Sequence, residues 1–176
     1  PDGTVVAFVG QKGDGGTPQL YVRRLDQLQA TPLGGTDDAL SPFFSPDGGW
    51  IGFFADQKLK KIAVSGGAVV TVADAPSPRG GAWSEADTIV FSPDQMHGTR
   101  LLRVPSAGGR AEPLASLAED EAIQLSPQIL PGGNAVLWRM AMVRAVDPQP
   151  GERILDVAAG TGTSSAALRR TGATVV

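Results

Sequence analysis

The chain has 176 residues, 41% of them hydrophobic and 19% charged, with a formal net charge of −3. Such a composition belongs to globular chains long enough to bury a core. With no basic cluster beyond the short "KLKK" and "RR" runs, nucleic-acid binding has no electrostatic footing. The absence of cysteine excludes disulfides, thiolate metal sites and cysteine nucleophiles, and the single histidine, His97, excludes a multi-histidine metal site within one chain.

No stretch approaches the roughly 20 apolar residues of a membrane span. No signal peptide is visible, although the chain starts at Pro1 in mid-motif without an initiator methionine. The expectation is a soluble chain without membrane partners, consistent with the cytoplasm. Glycine and proline make up about a fifth of the residues, against about an eighth in average chains, which points to many tight turns between short strands.

Four segments line up along the sequence: "PDGTVVAF" from Pro1, "PDGGWIGF" from Pro46, "EADTIVFS" from Glu85 and "PGGNAVLW" from Pro131. Their starts lie 39 to 46 residues apart, a period of propeller blades rather than helical repeats. In "FFSPDGGW", Pro46 presets φ at the first turn position, Asp47 can bond forward to backbone amides, and Gly48 can take a positive φ. This is a hairpin corner between two strands.

The first unit runs from its corner through "QLYVRRL" (19–25), which alternates apolar and polar residues as a half-wet third strand should, to a short outer strand in "ATPL". It has no inner strand before it. The second unit adds that strand, "SPFFS", and continues through "KLKKIAV" (58–64) to "AVVTVA". The third reads "RGGAWS", "RLLRVP" (100–105) and "AEPLASL", but its corner has "SEAD" where "SPDG" is expected, so it must turn without proline and glycine. The fourth has "IQLSPQIL" and "NAVLWR", and no third strand follows.

Over residues 1–138 this pattern resembles the TolB-like β-propeller repeats, especially those that follow bacterial Ser/Thr protein kinase domains. Corner, period and strand order all coincide in "LYVRRLDQLQATPLGGTDDALSPFFSPDGGWIGFFADQKLKKIAVSGGAVVTVADAPSPRGGAW". The resemblance implies a scaffold that presents sensor, ligand-binding or protein-binding surfaces. Peptidase propellers are related, but their hydrolase domain is absent from this chain.

From about Arg139 the period changes. "RMAMVRAV" has helical spacing, "DPQPG" breaks it, and "RILDVAA" reads as a strand before a glycine turn. A helix is expected from about Thr163 to Arg170, stopped by Gly172, with "ATVV" opening a second strand. Strand, glycine loop, helix and strand are the opening unit of a Rossmann-like sheet.

"RAVDPQPGERILDVAAGTGTSSAALRRTGATVV" is similar to the first motif of S-adenosylmethionine-dependent methyltransferases of the ubiquinone/menaquinone-biosynthesis type. The resemblance implies that Asp156, Ala158, Gly160, Thr161 and Gly162 would lie against the cofactor. In that family an acidic residue ending the second strand holds the ribose hydroxyls, and here the sequence stops at Val176, before that position. The expectation is therefore a vestigial site with no working cofactor. The fold class expected is mainly β: a partial propeller of about 3.5 four-stranded blades over 1–138, and an α/β strand–loop–helix fragment over 139–176. Two truncated family fragments joined near Arg139 point to a chimera, engineered, library-selected or recombined.

Other candidate residues have plainer readings. His97 falls in the loop between the second and third strands of blade three, as an ordinary polar loop residue. Asp37, Asp38 and the Glu119–Glu121 cluster lack the ligand spacing of a calcium loop. "GTGTSS" has no accompanying histidine and no Gly-x-Ser-x-Gly elbow. Phe8, Phe53 and Trp138 recur seven residues into their repeats, as blade-packing aromatics. Trp50 and Trp83 could pack or edge a surface pocket. Lys58, Lys60 and Lys61 read as one solvated strand face.

An open arc of blades exposes sheet edges and apolar faces, so the expected partner is a second copy of the chain. A homodimer or higher oligomer would complete the propeller by one of two routes. Either "IQLSPQIL" of one copy supplies the inner strand missing from the next copy's first blade, or "RILDVAA" and "ATVV" finish blade four. A small-molecule or peptide ligand stays open.

Overall fold

The computed structural model describes residues 3–94, 100–114, 127–129, 135–137, 150, 153–154 and 174–175. Contacts divide the chain into two compact units, Pro1–Ala135 and Val136–Val176. Among the described residues every regular element is a strand. No helix among them is long and apolar enough to cross a membrane.

The first sheet has three strands: β1 (Val5–Gly10), β2 (Gln19–Arg24) and β3 (Thr31–Pro32), in that order. The second is β4 (Leu40–Phe44), β5 (Trp50–Ala55), β6 (Lys58–Ala63) and β7 (Val70–Asp74). The third repeats it with β8 (Gly81–Trp83), β9 (Thr88–Phe91), β10 (Leu102–Pro105) and β11 (Glu112–Pro113). A two-stranded sheet follows, β12 (Pro127–Ile129) with β13 (Ala135–Leu137). Each of the first three is an antiparallel meander whose strands fall on the segments that the alternation predicts. This is a partial β-propeller, with sheets of three, four, four and two strands among the described residues.

The corner between β4 and β5 forms as its residues dictate. The Gly48 N–H donates to the Ser45 carbonyl at 3.0 Å, with Gly48 at φ 71°, and Asp47 Oδ1 accepts the Gly49 N–H at 3.0 Å. Ser45 closes the loop: its hydroxyl bonds Asp47 and accepts the Trp50 N–H at 2.9 Å, so this buried hydroxyl is fully satisfied.

The corner between β8 and β9 makes the same turn without proline or glycine. The Asp87 N–H donates to the Ser84 carbonyl at 3.1 Å, and Asp87 itself takes the left-handed place of Gly48, at φ 55°. Aspartate visits that region at lower cost than most residues because its short polar side chain bonds locally. "SEADT" is also one residue shorter than "SPDGGW". The shortening shifts the count along the next strand by one.

Hydrogen bonds across each blade give the correct equivalence. The carbonyls of Thr4, Gly49 and Asp87 accept the N–H of Leu25, Val64 and Ser106 respectively. Val6, Ile51 and Ile89 therefore correspond, as do Phe8, Phe53 and Phe91. Phe91 is the third member of the aromatic series, which counting seven residues from each repeat start misses.

The sheets stack face to face, and the apolar residues divide between two layers. Between sheets one and two lie Leu20, Val22, Ile51, Phe53 and Ile62. Between sheets two and three lie Phe54, Leu59, Trp83, Ile89, Phe91 and Val104. Sheet two is covered on both faces, so β5 is apolar almost throughout ("WIGFFA") instead of alternating. Phe53 and Phe91 are both fully buried, each contributing about 1.5–3 kcal/mol. Phe8, expected as their equal, is 38% exposed and stacks on Tyr21 at 5.8 Å; among the described residues no sheet covers its outer face.

In the second unit, β14 (Arg153–Ile154) and β15 (Thr174–Val175) pair in parallel, Arg153 with Thr174 and Ile154 with Val175. Parallel neighbours need a crossover of about a dozen residues or more, which 155–173 are long enough to supply. Among the described residues these two strands form a two-stranded sheet of their own. The helices expected at 139–146 and 163–170 lie outside the described residues.

Candidate functional site

Two places in the first unit bring side chains with chemistry together. The first is a groove of about 560 Å³ at one end of sheets two and three. Phe54 and Ala55, at the end of β5, form its buried floor, and Pro76 and Pro78 of the β7–β8 connection wall one side. Asp38, Leu40, Asp56, Gln57, Ser77 and Arg79 line the remainder.

The local chain explains this shape. Asp56 and Gln57 make a two-residue loop between the paired Ala55 and Lys58, both at positive φ (51° and 58°), as a twisted hairpin requires. The Gln57 carbonyl accepts the Ala75 N–H at 2.8 Å, pinning the hairpin to the proline-rich connection. Asp38 and Ser41 are left-handed too (55° and 47°), so four strained residues lie on or beside one groove. Leu40 is 56% exposed at its mouth. The arrangement offers an apolar floor, carboxylate and amide acceptors, and one guanidinium. Among the described residues no cluster of three metal-ligating side chains exists.

The second place joins sheets two and three. Lys61 on β6 extends its ammonium over the Trp50 ring (4.8 Å to the centre) and the Trp83 ring (5.7 Å). Trp83 Nε1 donates to Asp87 Oδ1 at 3.1 Å, and the Ser106 hydroxyl donates to the same oxygen at 2.6 Å. Those two hydrogen bonds, the serine's foremost, lower the Asp87 pKa from its ordinary value, and the Lys61 charge adds to the effect. Asp47 is lowered as well, chiefly by the Ser45 hydroxyl and then by the Gly49 amide. The two tryptophans thus clamp a lysine of the same chain.

Lys61 therefore departs from the single solvated lysine face expected. Lys60 does too: it pairs with Asp56, its side chain only 15% exposed. Lys58, paired with Asp74, is 44% exposed and fits the expectation best. Asp37 and Asp38 are exposed loop residues; the Asp38 N–H donates to the Pro18 carbonyl. Asp156, Ala158, Gly160, Thr161, Gly162, His97, Trp138 and residues 119–121 all lie outside the described residues. The groove residues Phe54, Pro76, Pro78 and Arg79 were not legible as a site. The available signals were a non-glycine doublet, Asp56-Gln57, between two strands and the "APSPR" run facing it.

No protein-family model matches the chain. The chain is similar to demethylmenaquinone methyltransferases: 67% identical over 48 residues to that of Clavibacter sepedonicus, covering 27% of this chain and 20% of the relative. The Corynebacterium kroppenstedtii enzyme is 50% identical over 52 residues, covering 30% and 23%. The chain thus spans about a fifth of the length of these curated relatives. A match of 48 residues is longer than the stretch from Arg139 to Val176, so the similarity is not confined to it.

Among solved structures, a TolB from Agrobacterium tumefaciens superposes with a TM-score of 0.61 at 23% identity, over 77% of this chain and 53% of that one. A chain of a nidogen/laminin complex gives 0.56 at 16% identity, over 76% and 50%. At such identities the likeness establishes the fold alone. The chain joins a β-propeller part to a segment similar to a methyltransferase.

Proposed function

We propose that this chain is a non-enzymatic β-propeller scaffold that works as an assembly of copies, with the groove at 38–40, 54–57 and 76–79 as its recognition surface for a small molecule or peptide. The observation that carries the reading is the state of sheet one. In sheets two and three the inner strands β4 and β8 cover the edge of β5 and β9, whereas among the described residues β1 has no such neighbour. Val6, Phe8 and Val9 are 41%, 38% and 36% exposed along it. A long apolar edge of this kind favours association. The joining of propeller and methyltransferase-like segments in one chain supports a chimeric origin. Light scattering with a blade count from negative-stain images tests the assembly. A folded monomer would end that reading.

A second reading, a fragment that retains S-adenosylmethionine binding, is favoured by the 67% match and by the parallel pairing of β14 with β15. The loop glycines would let the backbone approach the cofactor, which in the full-length family donates a methyl group. Isothermal calorimetry decides between the readings. Saturable micromolar binding that Gly160→Val abolishes would establish the second, and heats no larger than those of dilution would remove it.

A further inference from the structure

We infer that the propeller closes through a shared blade, in which β12 of one copy pairs with β1 of a second copy. This rests on the association reading above and specifies which strands meet.

The repeat itself shows what β1 lacks. Ile51 and Phe53 of β5 face the preceding sheet, and so do Ile89 and Phe91 of β9. Among the described residues their counterparts Val6 and Phe8 have no preceding sheet to face, while Val5 and Ala7 on the other side pack toward sheet two. The missing neighbours are thus an inner strand along β1 and a blade against Val6 and Phe8. The end of sheet three with β12 beside it supplies both.

Three observations select β12. Its sequence context, "LSPQI" at 125–129, repeats "LSPFF" at 40–44, where β4 is the inner strand of sheet two. It lies beside β8, in the same succession in which β8 lies beside β4 and β4 beside β1. Its present partner is short: β13 has three residues, and among the described residues no third or fourth strand backs it. Exchanging β13 for β1 would give β12 a six-residue partner already backed by β2 and β3.

Within one chain β12 is separated from β1 by sheets two and three, so a second copy must bring it. The shared blade reads β12, then β1, β2 and β3 of the other copy. On the described residues each chain then accounts for three blades, and two chains make six, within the roughly four to eight of closed propellers. Three chains would give nine, outside that range. The closed form is a two-fold dimer whose two seams are identical.

Register fixes the test. Phe43 faces Gly52, and Gly52 corresponds to Ala7, so the residue in the place of Phe43, Gln128, comes opposite Ala7. The chain has no cysteine of its own. An Ala7→Cys chain and a Gln128→Cys chain are mixed, oxidised and run on a non-reducing gel. The cross-linked heterodimer should exceed the homodimer of either chain alone by about tenfold, since facing strand residues lie within disulfide reach. A companion variant, Val6→Lys, places a charge on the exposed edge; it should keep a folded β spectrum and run at monomer mass. A native chain of dimer mass with no hetero-cross-link, or a Val6→Lys chain that stays dimeric, overturns the shared blade and leaves association standing. A native chain of monomer mass overturns both.

Discussion

An aspartate can hold a left-handed turn at residue 87 because its carboxylate finds partners there that no glycine could offer. The carboxylate fixes the Trp83 indole and the Ser106 hydroxyl at once, and so links a strand end to the chain beyond the third strand of its own blade. Lys61, from the neighbouring blade, lies over the same indole. The lowered pKa sets the sign of the pH effect. Asp87 stabilises the fold above its unfolded pKa of about 3.9, and that contribution is lost as pH falls through the lower folded value. Asp87→Asn tolerates the same φ but abolishes this titration, so its acid unfolding curve should be flatter below about pH 4. Asp87→Ala should melt lower than Asp87→Asn at neutral pH, since it loses both hydrogen bonds and sits poorly at φ 55°. Tryptophan emission followed through an acid titration checks both; equal curves for all three chains would refute the role. The sequence exposed this corner as a departure from "SPDG", but not its solution, because the partners Trp83, Ser106 and Lys61 come from three separate segments.

At the scale of the strand, Gly52 is the position that the pattern of β5 least explains. The alternation of that strand demands an apolar side chain facing sheet three between Trp50 and Phe54. Phe43 from β4 fills the place instead: a Cβ on Gly52 would come within 2.4 Å of its ring, and one on Gly81 within 2.7 Å. One phenylalanine thus occupies the space left by two glycines in neighbouring blades. Gly52→Ala should cost about 1–3 kcal/mol by overpacking, and Phe43→Leu in the same chain should recover part of it. Urea midpoints of the single and double variants measure the coupling, and strict additivity would contradict it. Strand positions were readable from period-two alternation and corner residues. Inter-sheet neighbours were not, because the facing of β5 against β4 and β8 is a property of three segments far apart in sequence. The lysines of β6 show the same limit: their spacing suggested one wet face, yet a bulge at Leu59–Lys60 and the two indoles give each a different environment.

For the molecule as a whole, period and corners revealed the blades. Of the methyltransferase-like segment, the parallel pairing of β14 with β15 agrees with the strand–loop–helix–strand order read from the sequence. The residues of the expected cofactor loop lie outside the described residues. The three-stranded first sheet also has a consequence in solution. In the proposed shared blade the seams of the ring are held by pairing between molecules, so dilution would act on it as a denaturant does. Its thermal midpoint should climb with protein concentration, by mass action. A scan series across about a hundredfold range of concentration would show this drift, and a midpoint indifferent to concentration would mean that each chain melts alone.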